Sequence, residues 1–144
     1  MTLGMPKLVI DTNVVISSLL NPESNPALIM SLILRRDWRI CVTEKIFAEY
    51  EEFLGRGKFK KLDQVSVREL LATLRSRALW VVPKVTIDDV AEDPYDNAFL
   101  ECALESGANF LITGNINHFH EKRFHHTSIV SPGEFVSYAA KLIK

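Results

Sequence analysis

Cysteine, net charge and long apolar runs are all scarce in this chain, and each scarcity closes off a class of protein. There are two cysteines, Cys41 and Cys102, in apolar surroundings and with no CxxC spacing. A disulfide-dense secreted scaffold is therefore excluded, and both residues read as reduced thiols of a core. Apolar runs such as Leu8-Val9-Ile10 and Val14-Val15-Ile16 are short, and none approaches the ~18 residues of a membrane span. Met1 to Lys7 holds no basic segment leading into an apolar stretch, so no secretory signal is read and a cytoplasmic location is expected.

Charge is nearly balanced, with 17 basic against 18 acidic residues for a net −1. The chain as a whole exerts no pull on a polyanion, so contact with nucleic acid must come from a local patch. Arg35, Arg36 and Arg39 form one such cluster, and Arg56, Lys58, Lys60 and Lys61 another. Each is equally well a solvated helix end or loop. No repeat, low-complexity tract, Walker-type glycine loop, GxGxxG or nucleophile elbow occurs, so nucleotide cradling and serine-type acyl transfer have no sequence support.

What is present is an ordinary globular composition, 47% apolar over 144 residues. One domain, residues 1–144, is expected, with a core that needs no staples. Short β-type runs alternate with amphipathic stretches: a strand at Lys7–Ile10, helical spacing over Val14–Leu20 and Asn25–Arg35, and a strand at Trp38–Val42. Next comes a helix over Glu44–Leu54, capped by Thr43 and ended by Gly55 and Gly57. Ser66 with Glu69 reads as a capping box opening a helix to Ala78, followed by a strand at Leu79–Val82. Asp93-Pro94-Tyr95-Asp96 opens a helix to Ser106 that Gly107 stops, with Asp93 as its cap. Strands at Asn109–Thr113 and Thr127–Val130 follow, and Ser131 with Glu134 opens the last helix. This alternation predicts an α/β protein with a parallel sheet covered on both faces, whose ligands bind beyond the carboxyl ends of the strands.

Acidic residues fall at that edge. Asp11 directly follows the first strand, where it either caps the next helix or holds a cation. Glu49 lies three residues after Ile46 and four before Phe53, on the apolar stripe of its helix, whereas Glu44, Glu51 and Glu52 fall elsewhere. A carboxylate on that stripe is either a boundary residue reaching solvent or a paired or metal-bound group. Asp96 sits at the opening of its helix, as a capping-box partner of Asp93 or as a ligand. After the Asn109–Thr113 strand, Gly114 allows a tight turn, and Asn115 and Asn117 offer neutral oxygens or turn stabilisation. Oxygen donors from several elements suit magnesium or manganese.

The ordered set Leu8-Val9-Ile10-Asp11-Thr12-Asn13, Glu49, Asp93-Pro94-Tyr95-Asp96-Asn97-Ala98-Phe99-Leu100-Glu101 and Phe110-Leu111-Ile112-Thr113-Gly114-Asn115 resembles the PIN-domain family. Within it, the chain is most similar to the subgroup described as toxin components of toxin–antitoxin systems. The resemblance implies a three-layer α/β/α sandwich, PIN-like and Rossmann-like, around a parallel sheet of about five strands. It also implies an endoribonuclease, dependent on Mg2+ or Mn2+, that cuts single-stranded RNA. Asp11, Glu49 and Asp96 match the family's catalytic, metal-holding acids. Asn115 stands where the family often has a further Asp and joins the metal set as a neutral donor. Thr12, Asn13 and Thr113 match substrate-positioning places. A cognate antitoxin and a homodimer through the apolar Val14–Leu34 helices are the implied partners.

Two other readings stand beside this one. The missing charge at Asn115 fits a catalytically degenerate RNA- or protein-binding module, and a carboxylate phosphotransfer domain would use a similar sheet edge. His118, His120, His125 and His126 fall within nine residues but match no zinc-finger spacing. With Glu121, Lys122 and Arg123 among them they read as an exposed loop or an RNA-backbone contact, anchored by Phe119 and Phe124.

Overall fold

The computed structural model describes residues 6–35, 38–56, 61–87, 96–119 and 121–142. In chain order these form β1 (Lys7–Ile10), α1 (Thr12–Leu20), α2 (Asn25–Leu34), β2 (Arg39–Val42), α3 (Glu44–Leu54), α4 (Gln64–Arg77) and β3 (Leu79–Trp80). Then come α5 (Asn97–Ser106), β4 (Phe110–Ile112), β5 (Arg123–Phe124), β6 (Thr127–Val130) and α6 (Pro132–Leu142). One 3-10 turn, Ile116–His118, follows β4. The six strands form one sheet in the order β3-β2-β1-β4-β6-β5. Five of them are parallel, as expected, and β5 adds an antiparallel edge by pairing Arg123 with Ser128 and Phe124 with Thr127.

Successive residues of a strand point to opposite faces. Leu8, Val9 and Ile10 are nevertheless all 0% exposed, and so are Ile40, Cys41 and Val42. Both faces of the central strands are therefore covered, which makes the molecule an α/β/α sandwich. Helix α5 lies against β1, β2 and β4. Phe135 of α6 meets Trp38 and Phe110 edge-on, with ring centroids 5.1 and 5.3 Å apart. Cys41 and Cys102 are free thiols inside this core.

Thr43 caps α3 by accepting from the Ile46 amide, and Gly55 closes it. Gly107 ends α5 with φ at 68°, a left-handed conformation that costs a side chain but not glycine. Ser131 and Glu134 form the reciprocal capping box of α6. Several boundaries differ from expectation by one or two residues, β3 ending at Trp80 instead of Val82 among them, and the openings of α4 and α5 use other caps. Helix α4 opens at Gln64 with Asp63 as its cap, and Ser66 donates to Asp63 instead of capping in its own right. Helix α5 opens at Asn97, so Asp96 is its cap-position residue, not its third helical one, and its side chain makes no cap hydrogen bond. Gly57 and Asp93 lie outside the described residues. No helix among the described residues is long and apolar enough to cross a membrane.

The strand order places the chemistry. From β1 the chain builds outward through β2 and β3, then returns to lay β4 on the other side of β1. Crossovers leaving β1 and β4 diverge there, and in such sheets a crevice opens beyond the strand ends at this switch point.

Candidate active site

Asp11 and Thr113 are the residues that immediately follow β1 and β4, so strand pairing brings them side by side. The Asp11 amide donates to the Ile112 carbonyl at 2.9 Å, and the Thr113 amide donates to the Val130 carbonyl at 3.0 Å. With both backbones fixed, Thr113 Oγ1 donates to Asp11 Oδ2 at 2.7 Å and accepts from the Asn115 amide at 2.9 Å. Asp11 Oδ1 also accepts, at 3.4 Å, from the Asn13 amide, which caps α1. The capping and site readings of Asp11 are thus compatible: one oxygen serves the helix while the other faces Thr113.

Asp11 is only 5% exposed, and burial pushes its carboxyl up from the usual 3.8 to about 6. The Thr113 hydrogen bond opposes that rise, the nearby Asp96 carboxylate adds to it, and Asn13 and His118 pull it back.

Glu49 is set by the residue after it. Tyr50 is fully buried, and its hydroxyl donates to the carbonyl of Ile10, the last residue of β1. Burial holds the Tyr50 phenol well above its ordinary pKa, so it remains a donor. This bond pins α3 to the strand end and brings Glu49 to Thr12, whose Oγ1 donates to Glu49 Oε2. Asp96 is buried at the head of α5, with Oδ2 3.1 Å from His118 Nδ1. Asn13 completes the ring by accepting from the Gly114 amide at 3.4 Å.

Asp11, Thr12, Asn13, Glu49, Asp96 and Asn115 all line one cleft of about 370 Å³. Ile16, Phe53 and Phe99 give it apolar wall, and Glu52 and Arg56 are exposed members of its lining. Thr113, grouped with this set on sequence, is fully buried and bonded to Asp11, and it does not line the cleft.

A family model for the PIN domain matches residues 7–117, a span that holds every one of these residues. The chain belongs to the PIN-domain family. PIN domains are generally nucleases, so nuclease-type chemistry on nucleic acid is the activity class that membership brings. An uncharacterized protein of Methanocaldococcus jannaschii is 29% identical over 147 residues, covering 95% of this chain and 94% of that protein.

The donors of this PIN domain are carboxylates, a carboxamide and hydroxyls, the hard oxygen set that magnesium and manganese take. Among the described residues, no group of three or more Asp, Glu, His or Cys side chains is arranged to hold a metal ion. A divalent ion held by one or two carboxylates, its own waters and substrate phosphate does not require such a group. Asp11 fits such an ion, since a cation would offset the burial that raises its pKa.

The histidine run divides. His118 reaches Asp96, His125 and His126 are exposed where β5 turns into β6, and His120 lies outside the described residues. His125 takes a left-handed φ of 54° in that turn. Phe119 is buried and anchors the segment. Of the two basic clusters, Arg56 lines the cleft, whereas Arg36, Lys58 and Lys60 lie outside the described residues. The contact of His118 with Asp96 and the Phe53–Arg56 wall were not anticipated from sequence. The signal for the first was the tight Gly114 turn with a buried Phe five residues later, which folds the intervening residues back over the strand ends.

Proposed function

We propose that this PIN domain is a metal-dependent endoribonuclease that cuts single-stranded RNA, with residues 1–144 forming a single domain. The observation that carries the reading is Asp11, a nearly buried carboxylate at the switch point of the sheet, sharing one cleft with Glu49, Asp96 and Asn115. Asp11, Glu49 and Asp96 are its catalytic acids, and with Asn115 they hold Mg2+ or Mn2+. When bound, such an ion supplies Lewis acidity at the scissile phosphate and activation of a water.

The chain's own residues supply position. Thr12 holds Glu49, Thr113 holds Asp11, and His118 holds Asp96, so each acid is oriented by a hydrogen bond from a neighbouring element. Asn13, tied to the Gly114 amide, sits where a substrate phosphate would approach the acids. In the cell we assign the protein to the cytoplasm, as the toxin of a toxin–antitoxin pair silenced by a cognate antitoxin. A homodimer would bury Leu20, Leu28 and Leu34, which α1 and α2 leave exposed, and sedimentation of wild type against Leu28→Glu tests it.

Cleavage of a labelled single-stranded RNA with Mg2+ or Mn2+ tests the enzyme, comparing wild type with Asp11→Asn and Asp96→Asn. Metal-dependent cutting lost in both variants is the expected result, and cutting that survives both refutes the acidic site. The neutral Asn115 favours one second reading, a module that binds RNA without cutting it. Tight RNA binding by a wild type inert with every metal would establish that instead.

A further inference from the structure

A bound divalent ion offsets the acids only at the scissile phosphate, so the flanking strand of a polyanion is held best where the lining also carries a fixed cation. Among the described residues lining the cleft, Arg56 is the one cation. Its guanidinium carbon lies 3.8 Å from the centroid of the Phe53 ring, and Nη2 is 3.7 Å from Glu52 Oε1 one helical turn back. We propose that Arg56, laid on Phe53 at the mouth of the cleft, is a subsite for a nucleotide flanking the scissile bond. This proposal rests on the ribonuclease reading above.

The ring covers one face of the guanidinium and orients it, so little freedom is left to lose on binding. The opposite face is a planar platform on which an unpaired base stacks, and the edge carries donors in the fork that fits a phosphate. Glu52 does not prevent this. The pair is 46% and 69% exposed, and an exposed ion pair of this kind has little net worth, so phosphate displaces it.

Arg75 shows what the same residue types do when they serve the fold. Its guanidinium lies 4.6 Å from the Phe47 centroid and 5.3 Å from that of Trp80, and it pairs with Glu51 at 3.6 Å. Trp80 Nε1 donates to the Arg75 carbonyl, and the hollow they form also holds Glu44. That guanidinium is as open to solvent as that of Arg56, but it lines a separate hollow that shares no residue with the acidic cleft. Arg75→Ala is therefore the internal control.

The test measures binding of a labelled single-stranded oligoribonucleotide by fluorescence anisotropy, in the full chain carrying Asp11→Asn so that nothing is cut. Adding Arg56→Ala should raise Kd about tenfold and flatten the salt dependence by about 0.7 in log–log slope. Arg56→Lys should recover the slope but only part of the affinity, because the charge returns without the plane. Phe53→Leu should weaken binding less than Arg56→Ala, and Arg75→Ala should bind as the parent does. In the cutting-competent chain, Arg56→Ala should raise KM about tenfold with kcat within about twofold. Unchanged Kd and KM in Arg56→Ala, in a wild type that cuts, overturn the subsite and leave the nuclease standing. A wild type that neither cuts nor binds RNA overturns both.

Discussion

The floor and the rim of the cleft are built on different principles. The floor is Asp11 and Thr12, each at most 5% exposed, with the fully buried Thr113 bonded to Asp11 behind the lining. The rim is Asn13, Glu49, Asn115 and Arg56, carried on helices and a loop and partly or wholly exposed. On the floor a polar group is costly unless satisfied, so chemistry and folding compete for the same atoms. On the rim water screens the charges and the side chains are replaceable without touching the core. A substitution on the floor should therefore change both activity and stability, whereas one on the rim should change activity alone.

The largest effect expected is that of Asp11→Asn. Cleavage should fall more than about a hundredfold, beyond the 10–100-fold typical of losing an outer-shell partner. Stability should move the other way. Asn caps a helix as well as Asp and keeps one acceptor oxygen for the Asn13 amide, with its NH2 turned to the Thr113 hydroxyl, but it removes a carboxyl whose pKa is raised to about 6. Between pH 4 and pH 6 the folded wild type binds more protons than the unfolded chain, so its stability rises as pH falls through that window. The metal-free variant should thus be more stable than wild type above pH 6, by at most about 3 kcal/mol, with the gap closing toward pH 4. Thermal melts across that range check it, and added Mg2+ should raise wild type alone. A pH-independent gap would mean that Asp11 is not the strained group of the floor.

Thr113→Val should reduce kcat about 10–100-fold while the chain stays folded, because Asp11 loses a hydrogen bond that orients it and the Asn115 amide loses its acceptor. Thr113→Ser should restore most of the activity. Failure of that rescue would assign Thr113 to packing instead of to Asp11. Smaller again is Tyr50→Phe, which deletes the bond to the Ile10 carbonyl at the cost of about 1–2 kcal/mol by chemical denaturation. Its informative readout is activity, since loosening α3 should also misplace Glu49, a rim residue whose aim is set from the core.

Legibility in the sequence followed the same division between local and distant causes. Asp11 could be found because the apolar run Leu8-Val9-Ile10 ends directly before it, and Glu49 because Ile46 and Phe53 mark its stripe. The parallel sheet followed from alternation alone. What was illegible depends on contacts between remote segments. Thr113 meets Asp11 across 102 residues, and His118 meets Asp96 across 22, in a 3-10 turn with no periodicity to announce it. Strand β5 has two residues, too few for any alternation. The start of α4 was misplaced because Asp63 and Ser66 are both good caps three residues apart, and the chain used the first.

Asn115 is where floor and rim meet, and its substitution has the smallest expected effect. Its amide is bonded to Thr113, but its side chain is exposed, so Asn115→Asp adds a carboxylate to the rim without burying it. In the absence of metal the new charge adds to the repulsion around Asp11 and should cost no more than about 0.5 kcal/mol, since water screens it. With Mg2+ the same charge becomes a further anionic ligand, and calorimetry should show binding tightened several-fold, with cleavage rising in step if the cleft is that of an active nuclease. A gain in metal affinity with no cleavage in either protein would place the chain among modules that hold RNA without cutting it. A loss of stability as large as that of a buried charge would instead show that the floor extends to Asn115, and the boundary drawn between floor and rim would have to move outward by that residue.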